Sequence, residues 1–103
     1  MQMNENKEPT CQQLLVAFFK AYPNPNLHNE VDRIVKRFDV LKIPMQGKSG
    51  GWAGGIIYAL SNLYQRPCGI HGILNKECED FFKVSMETIY RRAYKVRNLL
   101  LTT

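Results

Sequence analysis

The stretch from Trp52 to Tyr64 constrains the fold more than any other part of the chain. Trp52, Ile56, Ala59, Leu60 and Leu63 recur at helical spacing, and Ala53 and Ile57 widen the stripe over most of a helical circumference. A helix that is apolar on nearly every side must be central, with other helices packed around it. Gly54 and Gly55 would weaken an isolated helix by about 1 kcal/mol each relative to Ala. In a packed helix the same residues let a neighbouring backbone come close.

Its neighbours can be read on both sides. Thr10 and Gln13 have capping-box spacing just after Pro9, and Leu14, Leu15, Phe18, Phe19 and Tyr22 follow at helical spacing. This predicts a first helix over residues 11–22, stopped by Pro23 and Pro25. Asn29 is the expected cap of a second helix, with Glu30 and Asp32 in its first turn. Val31, Ile34, Val35, Phe38 and Leu41 form its apolar face, and Pro44 closes it. Residues 45–51, with Gly-Lys-Ser-Gly-Gly at their heart, are expected to be a loop before the central helix. Arg66, Pro67 and Gly69 mark the next turn, and residues 70–74 a connection. Asn75 should cap a short helix over 76–82, and Ser85 a last helix from Met86 to about Leu101. The buried stripe of that last helix is Ile89, Ala93, Val96 and Leu100. No alternating strand pattern is present, so the expectation is all-α: a compact five-helix bundle. It is one domain over residues 10–103, behind a flexible leader at 1–9.

At 103 residues, 45% of them hydrophobic and 22% charged, the chain suits one folded domain able to bury a core without a metal or disulfides. Cys11, Cys68 and Cys78 are odd in number and irregular in spacing, which fits reduced thiols. No apolar run approaches the roughly 20 residues of a membrane span, and the first residues lack a secretion signal. A cytoplasmic protein that does not engage membranes is expected.

The formal net charge is +5, and its distribution says more than its total. Residues 1–40 carry five basic and five acidic side chains, whereas 41–103 carry nine basic against four acidic. Between Lys83 and Arg97 there are five basic residues and one acid, Glu87. A short helix, a turn of three residues and a Ser-capped longer helix describe a helix-turn-helix. Cys78 and Phe82 would face inward from the first helix, and Val84 would fill the angle between the two. At 100° per residue the outer face of the last helix holds Glu87, Arg91, Tyr94, Lys95 and Asn98. Tyr90 and Arg97 stand on one flank and Arg92 on the other. The candidate nucleic-acid-binding set is therefore Lys83, Glu87, Tyr90, Arg91, Tyr94, Lys95 and Arg97. Arg91 would meet guanine or phosphate, and Lys83, Lys95 and Arg97 phosphate. The competing reading is a solvated face on which Glu87 and Arg91 pair at i, i+4.

Residues 47–60 (Gly-Lys-Ser-Gly-Gly-Trp-Ala-Gly-Gly-Ile-Ile-Tyr-Ala-Leu) and 82–89 (Phe-Lys-Val-Ser-Met-Glu-Thr-Ile) carry a resemblance. They resemble an uncharacterised prokaryotic domain family with a Gly-basic loop, a Trp-Ala-x-Gly-Ile-Ile-Tyr-Ala helix and a Phe-Gly-Val-Ser-x-x-Thr-Ile turn. More remotely, residues 27–101 are similar to the cyclin-box repeat of transcription factor IIB. The likeness implies a cyclin-like, five-helix fold with a C-terminal helix-turn-helix that binds nucleic acid or protein, without catalysis. Two residues depart from the DNA-binding pattern. Lys83 stands where the turn ordinarily has glycine, and Glu79 where the first helix ordinarily has a small residue.

Other chemistry is weaker. Gly47-Lys48-Ser49 mimics the end of a P-loop, but Lys42 stands where that motif needs a glycine, and a helix rather than a strand precedes it. Lys48, Ser49, Gly50 and Gly51 remain an anion-binding candidate at the entry to the central helix, against the simpler reading of glycines that permit tight entry. Cys68, His71 and Cys78 are an incomplete zinc ligand set, and His28 would have to arrive from elsewhere in the chain, so no metal and no cofactor are expected. Trp52, Tyr58 and Tyr64 read as core rather than stacking platforms, as do Phe18 and Phe19. No acid–base or nucleophile constellation stands out, so the chain is not expected to be an enzyme. The leading expectation is a small helix-turn-helix-type, transcription-related module that binds duplex DNA through its basic last helix. The alternative is a protein–protein interaction module with no DNA contact.

Overall fold

A computed structural model describes residues 9–61 and 73–101, without the side chains of the last two. The described residues form an all-helical domain of five helices with no strands. These are α1 (Cys11–Ala21), α2 (Pro25–Leu41), α3 (Ser49–Ser61), α4 (Asn75–Phe82) and α5 (Met86–Val96). A π-helical stretch, Arg97–Leu101, continues α5. The leader at 1–8, the end of the central helix at 62–64, the Arg66–Pro67–Gly69 turn and most of the 70–74 connection lie outside the described residues.

α1 begins on the predicted capping box. Thr10 Oγ1 accepts from the Gln13 N–H at 3.1 Å, and the Gln13 side chain accepts from the Thr10 N–H at 2.9 Å. α2 starts earlier than expected. Its cap is Asn24, not Asn29, and the Asn24 side chain accepts from the Leu27 N–H at 3.2 Å. Pro25 then opens the helix rather than ending the previous one, because a first-turn residue needs no N–H and a fixed φ suits the helix. Val31, Ile34, Val35 and Phe38 are buried, but Leu41, expected on the same face, is exposed at the helix end. α3 also starts early. Ser49, Gly50 and Gly51, expected in a loop, are its first residues.

α3 is the centre of the molecule. It packs against α1, α2, α4 and, most extensively, α5. Every residue from Gly50 to Ala59 is buried. Its glycines set the closest approaches. A Cβ on Gly55 would lie 2.9 Å from the Ala93 backbone nitrogen and 3.0 Å from the Arg92 carbonyl carbon, both main-chain atoms of α5. A Cβ on Gly50 would overlap the Phe82 carbonyl oxygen at the end of α4. On the far side, the Phe18 ring of α1 meets Phe81 at 5.7 Å and Phe82 at 5.5 Å, tying α1 to α4. Trp52 donates from Nε1 to the Gln46 carbonyl at 2.8 Å and stands edge-on to Phe38 of α2 at 5.6 Å.

Gly50 and Gly51 are neighbours in sequence with different obstacles, which makes a clean comparison. Gly50→Ala should destabilise by about 2 kcal/mol, because main-chain atoms must move. Gly51→Ala meets only side-chain atoms, the Thr88 methyl and the Arg92 stem, so it should cost less than about 1 kcal/mol. Urea unfolding of the two variants measures the difference.

Candidate nucleic-acid interface

α4 and α5 are joined by a turn at residues 83–85. Lys83 takes the left-handed conformation, φ 59° and ψ 40°, and its N–H donates to the Glu79 carbonyl at 2.8 Å. Glycine would adopt this conformation without steric penalty, whereas an L side chain costs roughly 1–2 kcal/mol there. The lysine thus performs the turn that the sequence pattern assigns to glycine. Ser85 caps α5 as expected, its Oγ accepting from the Thr88 N–H at 3.2 Å. Glu79 does not wedge the helices apart. Its carboxylate turns to the start of α5 and accepts from the Met86 N–H at 2.8 Å. α4 begins at Asn75 rather than after it, with Glu77 accepting from the Leu74 N–H at 2.9 Å.

On the inner side of α5, Ile89, Ala93 and Val96 are buried as predicted, and Met86 is buried with them. Cys78 and Phe82 face them from α4, and Val84 packs against the core between the two helices. The side chain of Leu100 lies outside the described residues. On the outer side Lys83, Glu87, Arg91 and Lys95 are exposed. Glu87 and Arg91 do not pair. Among the described residues the ion pairs are Glu30–Arg33 and Lys76–Asp80, with His28 Nε2 3.8 Å from Asp32, and Arg91 instead donates from Nη2 to Thr88 Oγ1 at 3.4 Å.

The remaining candidates share one strip of α5, and a second strip runs beside it. Tyr90, Tyr94 and Arg97 follow at i, i+4, i+7. Tyr90 leans on Tyr58 at 5.2 Å and is 43% exposed, Arg97 is half-buried, and Tyr94 is 68% exposed. Arg92, Lys95 and Leu99 follow at i, i+3, i+7 on another strip, beside the segment 43–47. Arg92 was not among the sequence candidates. Its guanidinium carbon sits 5.0 Å above the Trp52 ring centroid, its stem runs beside Gly51 and Gly55, and a Cβ on Gly47 would overlap its Nη2. Arg92 Nε is buried with no hydrogen-bond partner. Charge periodicity along α5 could not single it out, because its surroundings come from α3 and the preceding segment.

Between that segment and α5 runs an open groove of about 720 Å³, lined by Ile43, Pro44, Gln46, Trp52, Arg92 and Lys95, with Tyr94, Asn98 and Leu99 toward the end of α5. Among the described residues no carboxylate lines it.

The Lys48–Gly51 anion candidate is arranged differently from expectation. Gly50 and Gly51 are buried in the helix packing, and the Gly51 N–H donates to the Lys48 carbonyl at 3.1 Å. Lys48 and Ser49 border a smaller pocket of about 230 Å³ with Phe81, Phe82 and Lys83. Of the metal-capable set, Cys68 and His71 lie outside the described residues, and no cluster of three metal-capable side chains occurs among the described ones. His28 stacks on Phe19 at 4.4 Å. Burial pushes the Cys78 thiol up to about 11, with the Glu77 and Glu79 carboxylates adding to the shift. Burial alone raises Cys11 to about 11. No helix among the described residues is long and apolar enough to cross a membrane. No protein-family model, curated protein or solved structure matches the chain.

Two outcomes follow for the α4–α5 corner. Glu79→Ala should lose about 1 kcal/mol, the cap to Met86. Lys83→Gly should gain up to about 1 kcal/mol by relieving the left-handed strain, net of the added freedom of the unfolded chain. Thermal unfolding of both variants reads the opposite signs. The thiols give a pH dependence. An unfolded thiol ionises near 8.5, well before Cys11 and Cys78 do in the fold. The unfolded state therefore holds fewer protons through that interval, and stability should fall as pH rises from about 9 through 11. Denaturant midpoints across that range test it, with Cys78→Ala and Cys11→Ala flattening the slope.

Proposed function

We propose that the protein is a small nucleic-acid-binding module of helix-turn-helix, cyclin-like type, which docks the outer face of α5 on duplex DNA. It works by binding and not by catalysis, and it uses no cofactor. The observation that carries the reading is the Glu79–Met86 contact. The acid that departs from the DNA-binding pattern is turned to cap α5, and Asp80 is held by Lys76 at 3.5 Å. Glu87 is then the one acid in a row that holds Lys83, Arg91 and Lys95, all exposed. Arg91 is the side chain suited to a guanine edge or a phosphate, and the two lysines are suited to phosphates. The left-handed Lys83 gives the corner between the helices the backbone shape that glycine gives it in DNA-binding turns.

A protein-interaction module is the second reading. It is favoured by the exposed Val40 and Leu41 at the end of α2. The two readings separate in one measurement. Duplex DNA should bind at low salt, with log affinity falling linearly as log salt rises. Arg91→Glu with Lys95→Glu should abolish this binding while leaving the fold intact. Single Lys83→Ala should weaken it across all sequences and reduce the salt slope by about 1. A wild-type protein that binds no duplex at low salt overturns the first reading.

A further inference from the structure

The groove between residues 43–47 and α5 is a second basic surface, concave where the outer face of α5 is convex. We infer that it takes a single strand of nucleic acid, with a phosphate against Arg92 and Lys95 and an adjacent base stacked on Tyr94. This rests on the nucleic-acid reading above and adds to it a site that shares Tyr94 and Lys95 with the outer face and is set apart from it by Arg92.

Three features carry the inference. The first is the fixing of Arg92. Its stem lies along Gly51 and Gly55 and its guanidinium covers the Trp52 face, so little side-chain freedom is left to lose on binding. Gly47, at φ +97°, brings its backbone up to Nη2 where a side chain would displace the guanidinium. The second is charge. Arg92 Nε is buried without a partner, and a half-buried cation in that state is stabilised by an anion at the terminal nitrogens, which border the groove. Lys95 stands one turn along the same strip, and among the described residues no carboxylate lines the groove with them. The third is Tyr94. Trp52 is buried and one of its faces is occupied by Arg92, whereas Tyr94 is 68% exposed at the groove. Fixed cations beside an exposed aromatic plane are what single-strand sites combine. A duplex keeps its bases stacked inside and leaves the ring unused, and an acidic peptide would use the cations without it.

Fluorescence anisotropy at low salt tests this, with a labelled oligothymidylate strand, a duplex of mixed sequence, and polyglutamate as competitor. Arg92→Met, which keeps the stem, should weaken single-strand binding about tenfold or more and leave duplex binding unchanged. Tyr94→Ala should weaken it at least about fivefold, and Tyr94→Phe should not. Should Arg92→Met fail to fold by circular dichroism, the two substitutions at the exposed Tyr94 decide the matter. Duplex binding without single-strand binding, or single-strand binding indifferent to these variants, overturns the groove and leaves the outer-face reading standing. Single-strand binding that depends on Arg92 and Tyr94, with no duplex binding, supports the groove and overturns the outer face. Binding of neither overturns both. Displacement by polyglutamate as effective as by unlabelled strand overturns the assignment in favour of an acidic peptide.

Discussion

The close approach of α3 and α5 is the contact on which the rest of the structure depends. Gly55 stands against the main chain of Ala93, and Gly54 against Ile89 and Phe82. A central helix made of side chains alone would hold α5 farther off. With glycines at the crossing, Ile89, Ala93 and Val96 reach the core and Arg92 is drawn over Trp52. The cost in helix propensity is about 1 kcal/mol per glycine, and burial of α3 from Gly50 to Ala59 offsets it.

The α4–α5 corner depends on the same contact, since Gly50 abuts the Phe82 carbonyl just before the turn. There two departures from the usual pattern turn out to have separate physical answers. Lys83 tolerates the left-handed region at a cost, and Glu79 satisfies an amide at the N-terminus of α5 that would otherwise need water. A carboxylate at a helix start is also favoured by the helix dipole. The two residues that depart from the usual sequence pattern are therefore both accommodated in the turn between α4 and α5.

The basic excess of the C-terminal part is divided by that packing into two surfaces. Arg91 and Lys83 look outward, Arg92 looks into the groove, and Lys95 stands between them. One helix can thus carry a convex basic row on one side and border a concave groove on another, because successive residues are rotated by 100°.

Much of this was legible from residue spacing. The near-uniform apolarity of residues 52–60 made a central helix unavoidable, since no face of it could be left to water. The Thr10–Gln13 box, the Ser85 cap and the Ile89–Ala93–Val96 stripe are local patterns, and local hydrogen bonding or periodicity suffices to produce them. Pro25 was misread as a stop because its meaning depends on whether it sits inside a helix or at its first turn, and only Asn24 as cap decides that. Glycines 50 and 51 read as loop because propensity knows nothing of the neighbour they admit. The role of Arg92 was not in the sequence pattern at all: it is one of five basic residues between Lys83 and Arg97, and it becomes a fixed, half-buried cation only where Trp52, Gly47 and Gly55 meet it. The sequence by itself determined an all-helical chain built around one apolar helix with its positive charge at the far end. The tertiary structure decided how those charges divide between a face and a groove, because that depends on how closely two backbones approach.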